Sequence, residues 1–271
     1  MKAVAKFAVL SALFVWAVPS ELAAQDDRFE WNGTVARGDV IEVKGITGDI
    51  RAVRASGSRV EVVATKHGRS RDFDQVEIRV VEGDDGVTIC AMYPQRESRR
   101  RSSSGSYECE PGGWNNVSID DVDVDVDFEV RVPAGVEFTG RTISGDVEAE
   151  GLDAFVVART VSGNIVVTTE DLADASTVSG SIDVALGRAD WSGDLEFHTV
   201  SGDITIAFPA GLETDIEFET VNGDVESDFP ITLTRRSNRW IGGHLRGTIG
   251  DGGRSLSLKT VSGDVELRQG R

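Results

Sequence analysis

The sequence predicts an all-β chain, folded as a single-chain parallel β-solenoid with rungs of about 20 residues. Three observations support this prediction. A six-residue phrase recurs in the second half, apolar and polar residues alternate around each copy, and no helical 3.6-residue pattern of useful length appears after the first residues. The phrase glycines are 17 to 22 residues apart, with one gap of 40. The copies are Thr142–Val147, Thr160–Ile165, Thr177–Ile182, Thr199–Ile204, Thr220–Val225 and Thr260–Val265.

Each copy joins two predicted strands through a corner. Around Thr199, Leu195 and Phe197 are apolar and His198 is polar, and apolar residues return at Val200 and Ile204. A shift of one residue turns a strand's side chains to the other face, so the pattern predicts a corner at Ser-Gly-Asp. We expect both aliphatic residues after the Thr to stack in the core. The alternative is a β-sandwich, whose strands occur at similar spacing.

The first half of the mature chain follows a weaker version of the same pattern. Ile41–Ile50 fits the template with Gly45 in the Thr position, and further strands are predicted at Val60–Ala64, Val76–Val81 and Val87–Ala91. Residues 133–271 hold the clearest repeats. Because the ends of a solenoid need caps, we expect the first strands and the terminal Arg268–Arg271 to supply them.

The first 24 residues read as a secretory signal. Lys2 and Lys6 precede the apolar run Phe7–Val18, and small residues lead to Ala24. An uncleaved anchor is the alternative. No later run approaches the roughly 20 apolar residues of a membrane span. The sequence therefore predicts one exported domain over residues 25–271, periplasmic or extracellular, without a transmembrane segment.

Charge and cysteines narrow the partners. The chain has 28 Lys and Arg against 46 Asp and Glu, a net charge of −18, which predicts no nucleic-acid partner. Cys90 and Cys109 are predicted to form a disulfide in an oxidising compartment. The Arg/Ser-rich residues 96–108 between them are predicted to be an exposed loop. A catalytic or metal-binding thiol is the alternative, but it lacks a nearby histidine.

The chain resembles a bacterial family of exported candidate adhesins, whose β-strand-repeat domains are mostly of unknown function. The resemblance rests on the repeated phrase, on Phe29–Trp31 with Gly38–Ile50, and on Gly247–Gly253 before the final strand and phrase. It covers residues 29–269. The resemblance implies a β-helical fold and a place in the cell envelope, and it brings no catalytic residues.

Two acidic patterns are candidate cation sites. Asp121, Asp123, Asp125 and Asp127 alternate with apolar residues, which places them on one strand face about 7 Å apart. That spacing is wide for one calcium ion, so we interpret them as a solvated face. The second pattern is the corner row Asp146, Asp203, Asp224 and Asp264. Side chains that hydrogen-bond the backbone of a turn account for this row better than metal ligation does. No metal site or cofactor is therefore predicted.

The candidate ligand site is a basic and aromatic patch in the 40-residue gap. Arg and Trp together can bind sugars or anions by stacking and forked hydrogen bonds. The alternative is a loop whose Trp packs on the flank of the solenoid while its arginines neutralise nearby acids. The patch consists of Arg235, Arg236, Arg239, Trp240, His244 and Arg246.

A binding or structural role is favoured over catalysis. Only His67, His198 and His244 are present, and the sequence contains no nucleophile elbow, zinc-protease motif or phosphate loop. We therefore predict a non-enzymatic envelope protein with an adhesion-type surface, binding an envelope polysaccharide or an envelope protein. One alternative is an accessory or sensor of an envelope-stress system, and another is a β-helix carbohydrate-active enzyme. The oligomeric state is left open.

Overall fold

The computed structural model describes residues 27–94, 109–112, 122–236 and 243–270. The described residues form 21 strands and one 3-10 helix, Ser70–Gln75. Among the described residues, no helix is long and apolar enough to cross a membrane. The strands are β1 Arg28–Gly33, β2 Val40–Lys44, β3 Ile50–Arg54, β4 Val60–Gly68, β5 Glu77–Gly83, β6 Gly86–Met92, β7 Val124–Val132, β8 Glu137–Arg141, β9 Val147–Leu152, β10 Val156–Arg159, β11 Ile165–Thr169, β12 Ala173–Ser176, β13 Ile182–Leu186, β14 Asp194–His198, β15 Ile204–Phe208, β16 Thr214–Thr220, β17 Val225–Ser227, β18 Ile231–Arg236, β19 Gly243–Ile249, β20 Ser255–Lys259 and β21 Val265–Gln269.

The strands form two sheets that enclose the core. Sheet 1 has ten strands in the order β1-β4-β7-β3-β9-β11-β13-β15-β21-β17. Sheet 2 has eleven in the order β18-β19-β16-β20-β14-β12-β10-β8-β2-β6-β5. One strand of sheet 2, a corner and one strand of sheet 1 make a rung, and neighbouring rungs pair in parallel. The predicted parallel β-solenoid is therefore confirmed.

The rungs do not stack in sequence order. At one end, the proximal end, β6–β7 lies outside β2–β3, although it follows it in the chain. At the other, the distal end, β20–β21 lies between β14–β15 and β16–β17. In space the rungs run β6–β7, β2–β3, β8–β9, β10–β11, β12–β13, β14–β15, β20–β21, β16–β17. The last rung in the sequence is therefore an interior one.

Antiparallel strands extend the stack in both sheets at the proximal end and in sheet 2 at the distal end. At the proximal end β5 pairs with β6, β4 with β7 and β1 with β4. At the distal end β19 pairs with β16 and β18 with β19. The prediction that the first strands cap the solenoid is confirmed in part, because β2–β3 is an interior rung. The prediction for Arg268–Arg271 is wrong for Arg268 and Gln269, which lie in the interior strand β21, and the 40-residue gap supplies the distal cap; Arg271 lies outside the described residues.

Inward side chains alternate as predicted, except at the corner. Leu195 and Phe197 before Thr199 are buried, and so are Ile204 and Ile206 after it. Val200, however, is 37% exposed, so the prediction that this position faces the core is wrong. Thr199 is itself fully buried, and adjacent residues of an extended chain point to opposite sides. The change of face occurs later, across Ser-Gly-Asp.

A disulfide joins Cys90 to Cys109, as predicted, with 5.8 Å between their Cα atoms. It attaches the short segment Cys109–Gly112 to the outward face of sheet 2 at the proximal end. Lys44 Nζ donates to the Glu110 carbonyl beneath this segment. The outward as well as the inward side chains of β2 are consequently buried over Ile41–Lys44. Residues 96–108 lie outside the described residues.

Candidate binding surface

The corners stack through glycine and threonine. An ideal Cβ on Gly180 would lie 1.9 Å from the Gly163 carbonyl oxygen of the next rung, so no side chain fits there. Thr177, which is buried, donates its hydroxyl to the same oxygen at 3.1 Å. The arrangement recurs at Thr199, whose hydroxyl lies 3.0 Å from the Gly180 carbonyl. Each corner is therefore bound to the next through the same backbone atoms, which fixes the rungs in register.

The corner aspartates have a structural role in this stack. Asp146 Oδ1 accepts the backbone N–H of Asn164 at 2.6 Å, and Asp203 Oδ1 accepts that of Asp264 at 2.8 Å. Asp224 donates its own N–H to Asp264 Oδ1 at 2.8 Å. Asn and Ser side chains accept in the same way where they replace Asp. The geometry agrees with the turn chemistry favoured from the sequence.

The first residue after each corner Thr forms an exposed aliphatic row. Its side chains are 37–45% exposed in five consecutive rungs. With about 4.8 Å between rungs, the row is about 19 Å long. In spatial order the valine row is Val161, Val178, Val200, Val261 and Val221.

A row of small polar side chains, four serines and one asparagine, lies next to the valine row. It is exposed, and its members pair from rung to rung through isolated parallel bridges. The row is Ser162, Ser179, Ser201, Ser262 and Asn222. We name the valine row and this row together the corner strip. Sequence reasoning missed the strip. The available signal was that Thr and Val are adjacent at each of these corners, so only one of the two side chains can face the core.

The strip ends where the chain covers its own corners. Ile46 and Ile143 hold the valine position in the two preceding rungs; Ile46 is 2% exposed and Ile143 is half-buried. The Tyr93 hydroxyl reaches Thr47 Oγ1 at 3.1 Å, in the hydroxyl position of the first of these corners. The aliphatic position is thus covered near the proximal end and open over the rest of the edge.

Two carboxylates of the acidic pattern, those of Asp123 and Asp127, have partners within the chain. Asp127 Oδ2 lies 3.1 Å from His67 Nε2, and Asp127 Oδ1 accepts the Asp49 N–H at 2.9 Å. Asp123 pairs with Arg69 at 3.0 Å. Asp121 lies outside the described residues. Within the described residues, no group of three or more His, Cys, Asp or Glu side chains could hold a metal ion.

The structure describes the predicted basic and aromatic patch in part. His244 Nε2 and Arg246 Nη2 both reach Glu217 Oε1, at 2.5 and 2.7 Å. Hydrogen bonding to Arg246 is the main cause of a lowered pKa for Glu217, with His244 adding to it. Arg235 and Arg236 lie in β18, the distal edge strand of sheet 2. Arg239 and Trp240 lie outside the described residues, so a ligand role for the patch stays a prediction.

The family described as Toastrack DUF4097 matches residues 34–268, nearly the whole β-stack. This chain belongs to the Toastrack family. The match includes all eight rungs of this Toastrack protein and begins just after β1 of the proximal cap. No curated protein matches the chain.

Solved structures are similar to this Toastrack chain at low identity. A candidate cell adhesion protein from Clostridium sporogenes has 10% identity and a TM-score of 0.44, with 90% of this chain and 100% of that chain covered. A candidate adhesin from Bacteroides fragilis has 13% identity and a TM-score of 0.38, with 89% and 97% covered. A candidate lipid-binding protein from Parabacteroides distasonis has 14% identity and a TM-score of 0.27, also with 89% and 97% covered. These likenesses are too distant to carry a function across.

Proposed function

We propose that this Toastrack protein is a non-enzymatic binding protein of the cell envelope, and that its corner strip holds a linear envelope polysaccharide. The observation that carries the proposal is the valine row, open in five consecutive rungs. The predicted secretory signal and the disulfide support a place outside the cytoplasm. The family and its solved relatives name no ligand for this chain.

The shape of the strip favours a linear polymer over a globular partner. It is about 19 Å long and only two side chains wide. A stable protein–protein interface buries about 800 Å² on each partner, which needs a much broader face. A thread that lies along the edge can instead contact every rung, and several weak contacts in series add to useful avidity.

The chemistry of the strip suits sugar rings. Methyl groups of the valine row offer an apolar surface for the C–H face of a pyranose, and the neighbouring hydroxyls can hydrogen-bond its hydroxyl groups. Both rows repeat with every rung, so a repeating polymer meets the same pair of contacts along its length. The residues just before each Thr are varied by comparison: Arg159, Ser176, His198, Lys259 and Glu219. The uncharged strip therefore repeats more faithfully than the charged row beside it.

The proposal is tested by co-sedimentation of residues 25–271 with isolated cell envelope and with protease-treated envelope glycan. The test variant is Val178→Glu/Val261→Glu, which places two carboxylates in the strip, two rungs apart. The control is Val166→Glu/Leu233→Glu, since both side chains are exposed but lie outside the strip. We expect saturable binding to the glycan, about tenfold weaker in the test variant, a difference of about 1.4 kcal/mol, and unchanged in the control.

Three outcomes would contradict the proposal. Equal binding by the test variant would remove the strip from the site. Binding to untreated envelope alone would indicate an envelope protein partner, as the accessory or sensor alternative predicts. Release of new reducing ends from the glycan would indicate a carbohydrate-active enzyme. Alanine substitution of Arg235, Arg236, Arg239 and Trp240 in the same assay tests the patch predicted from the sequence.

A further inference from the structure

A second candidate site lies away from the corner strip, on the outward face of sheet 2 near the proximal end. It is a cleft of about 270 Å³ between β2, β6, β8 and the disulfide-tethered segment Cys109–Gly112. Pro111 and Gly112 form one wall, and the turn between β5 and β6 forms another. Val40 and Val87 give it an apolar floor, and Arg141 lines it from β8.

Glu42 is buried beside the cleft and fully engaged. Its Oε1 accepts from Arg141 Nε at 3.0 Å. Its Oε2 accepts from the Gly112 N–H at 3.0 Å and from the Thr88 hydroxyl at 3.3 Å, and Lys44 Nζ is 3.7 Å away. A carboxylate with these partners has little capacity left for a ligand. Its role is to hold Arg141 in place.

Arg141 has N–H donors that bond no other described residue. Its side chain is only 11% exposed, and within the described residues its one hydrogen-bonded nitrogen is Nε, so neither Nη donates there. A guanidinium carries its remaining N–H groups on these two nitrogens in a planar fork. Burial is the main influence and lowers the pKa of Arg141; Glu42 raises it, and Arg159 lowers it. The cation is thus incompletely compensated.

The next rung adds a further cation. Arg159 lies opposite Arg141 in the register of β8 and β10. Its Nε is buried and has no hydrogen-bond partner among the described residues, and its Nη2 lies 3.7 Å from Asp174. Among the described residues, Lys44, Arg141 and Arg159 therefore lie near the carboxylates of Glu42, Glu110 and Asp174. The three cations lie together in a chain with a net charge of −18.

Asp84 and Asp85 also line the cleft, on the exposed turn after β5. Their carboxylates would repel a simple anion that approached Arg141, but they would attract a cation. The lining of the cleft therefore combines a guanidinium, two exposed carboxylates and apolar side chains. Its volume equals roughly nine water molecules at about 30 Å³ each, which suits a molecule the size of an amino acid or a dipeptide.

We propose that the cleft binds a small zwitterion, with its carboxylate on the Arg141 fork and its ammonium group toward Asp84 and Asp85. Planar two-point hydrogen bonding is the geometry in which arginine best recognises a carboxylate. The cleft contains no residue of the corner strip. Zwitterion binding and polysaccharide binding can therefore be tested independently.

Titrations followed by NMR chemical shifts test the assignment with four probes on residues 25–271. Alanyl-alanine and L-alanine carry both charges, acetate carries only the carboxylate, and ethylammonium carries only the cation. We expect saturable shifts around the cleft with a zwitterion, about tenfold weaker binding of acetate, about 1.4 kcal/mol, and none of ethylammonium. No saturable shift with either zwitterion would overturn the proposal, and equal affinity for acetate would reduce the site to a plain anion site.

Variants distinguish the cationic and anionic groups of the cleft. Arg141→Lys keeps a cation beside Glu42 but removes the fork, so zwitterion affinity should fall about tenfold. Asp84→Asn/Asp85→Asn alters only exposed side chains and should lower zwitterion affinity to that of acetate, even if Arg141→Lys fails to fold. Asp183→Asn, on the outward face of sheet 1, is the matched control and should change nothing. Unchanged zwitterion binding in both cleft variants would contradict the proposal.

Discussion

The two ends of the stack solve the same problem in different ways. At both, the outermost rung is not the terminal rung of the sequence; antiparallel strands pair with it in both sheets at the proximal end and in sheet 2 at the distal end. At the proximal end, later rungs are placed on the two open sides of an earlier one. The rung β6–β7 pairs with one side of β2–β3, and β8–β9 pairs with the other. At the distal end β20–β21 has to enter between two rungs that precede it in the chain. Stacking order is therefore not set by sequence order.

The distal exchange is possible because the corners are equivalent. Thr260 donates to the Gly202 carbonyl at 3.1 Å, and Thr220 donates to the Gly263 carbonyl at 3.1 Å. Both bonds are the ones that central rungs make. While β20–β21 is absent, β16, β19 and β18 can already pair as an antiparallel unit.

The largest contrast is expected from deleting one element near each end. Removal of residues 255–271 takes out an interior rung with partners on both sides, so we expect loss of cooperative unfolding and aggregation on size-exclusion chromatography. Removal of residues 25–33 deletes β1, which pairs with β4 alone. It should cost about 3 kcal/mol, mostly from the half-buried Phe29 and Trp31, and keep a single transition. A cooperative fold without residues 255–271 would contradict the interior placement.

Corner glycines should matter wherever rungs stack. An ideal Cβ on Gly263 would lie 2.0 Å from the Gly202 carbonyl oxygen, and the backbone φ there is 150°. We expect Gly263→Ala to destabilise the protein by roughly 3 kcal/mol or more, measured by urea unfolding. Gly57 has nothing within 4 Å of its ideal Cβ, so Gly57→Ala should stay within about 0.5 kcal/mol of wild type. Equal losses in the two variants would show that corner stacking is not the cause.

The disulfide should stabilise the proximal end selectively. Cys90 and Cys109 close a segment with a sequence separation of 19, for which chain entropy predicts about 3 kcal/mol. We expect Cys90→Ala/Cys109→Ala to lower the free energy of unfolding by about that amount. Amide hydrogen exchange should become faster in β6 before it does in β16 or β19. Uniform acceleration across both ends would indicate one cooperative unit instead.

The smallest effect is expected from Glu217 in acid. Arg246 and His244 lower its pKa in the folded state, so the unfolded chain takes up this proton more readily. The resulting stabilisation is complete above the ordinary carboxyl value of 4.5 and is lost as pH falls through the lowered folded value. We expect Glu217→Gln to show a shallower loss of stability than wild type below about pH 4.5 in urea titrations. Parallel pH profiles would contradict this assignment.

The sequence was sufficient for the repeating unit. Its Thr, Gly and Asp positions follow from local stereochemistry, and the structure confirms the solenoid that they predict. It was not sufficient for the order of the rungs, because the Thr199 corner fits the Thr220 corner and the Thr260 corner equally well. The inward orientation predicted for Val200 was wrong because Thr199 takes the buried position, so the adjacent Val200 faces outward. The cleft at Arg141 could not be found from spacing, since Glu42, Thr88 and Gly112 meet there only after a change of rung order and a disulfide.

Equivalent corners also make the length of the protein adjustable. Each added copy of about 20 residues would lengthen the corner strip by about 4.8 Å and would make the same corner contacts with its two neighbours that those neighbours had made with each other. The caps at the two ends would not need to change, because each contacts only its own outermost rung. Gene duplication could therefore lengthen the strip in steps of one rung, matching it to longer or shorter partners without a new fold.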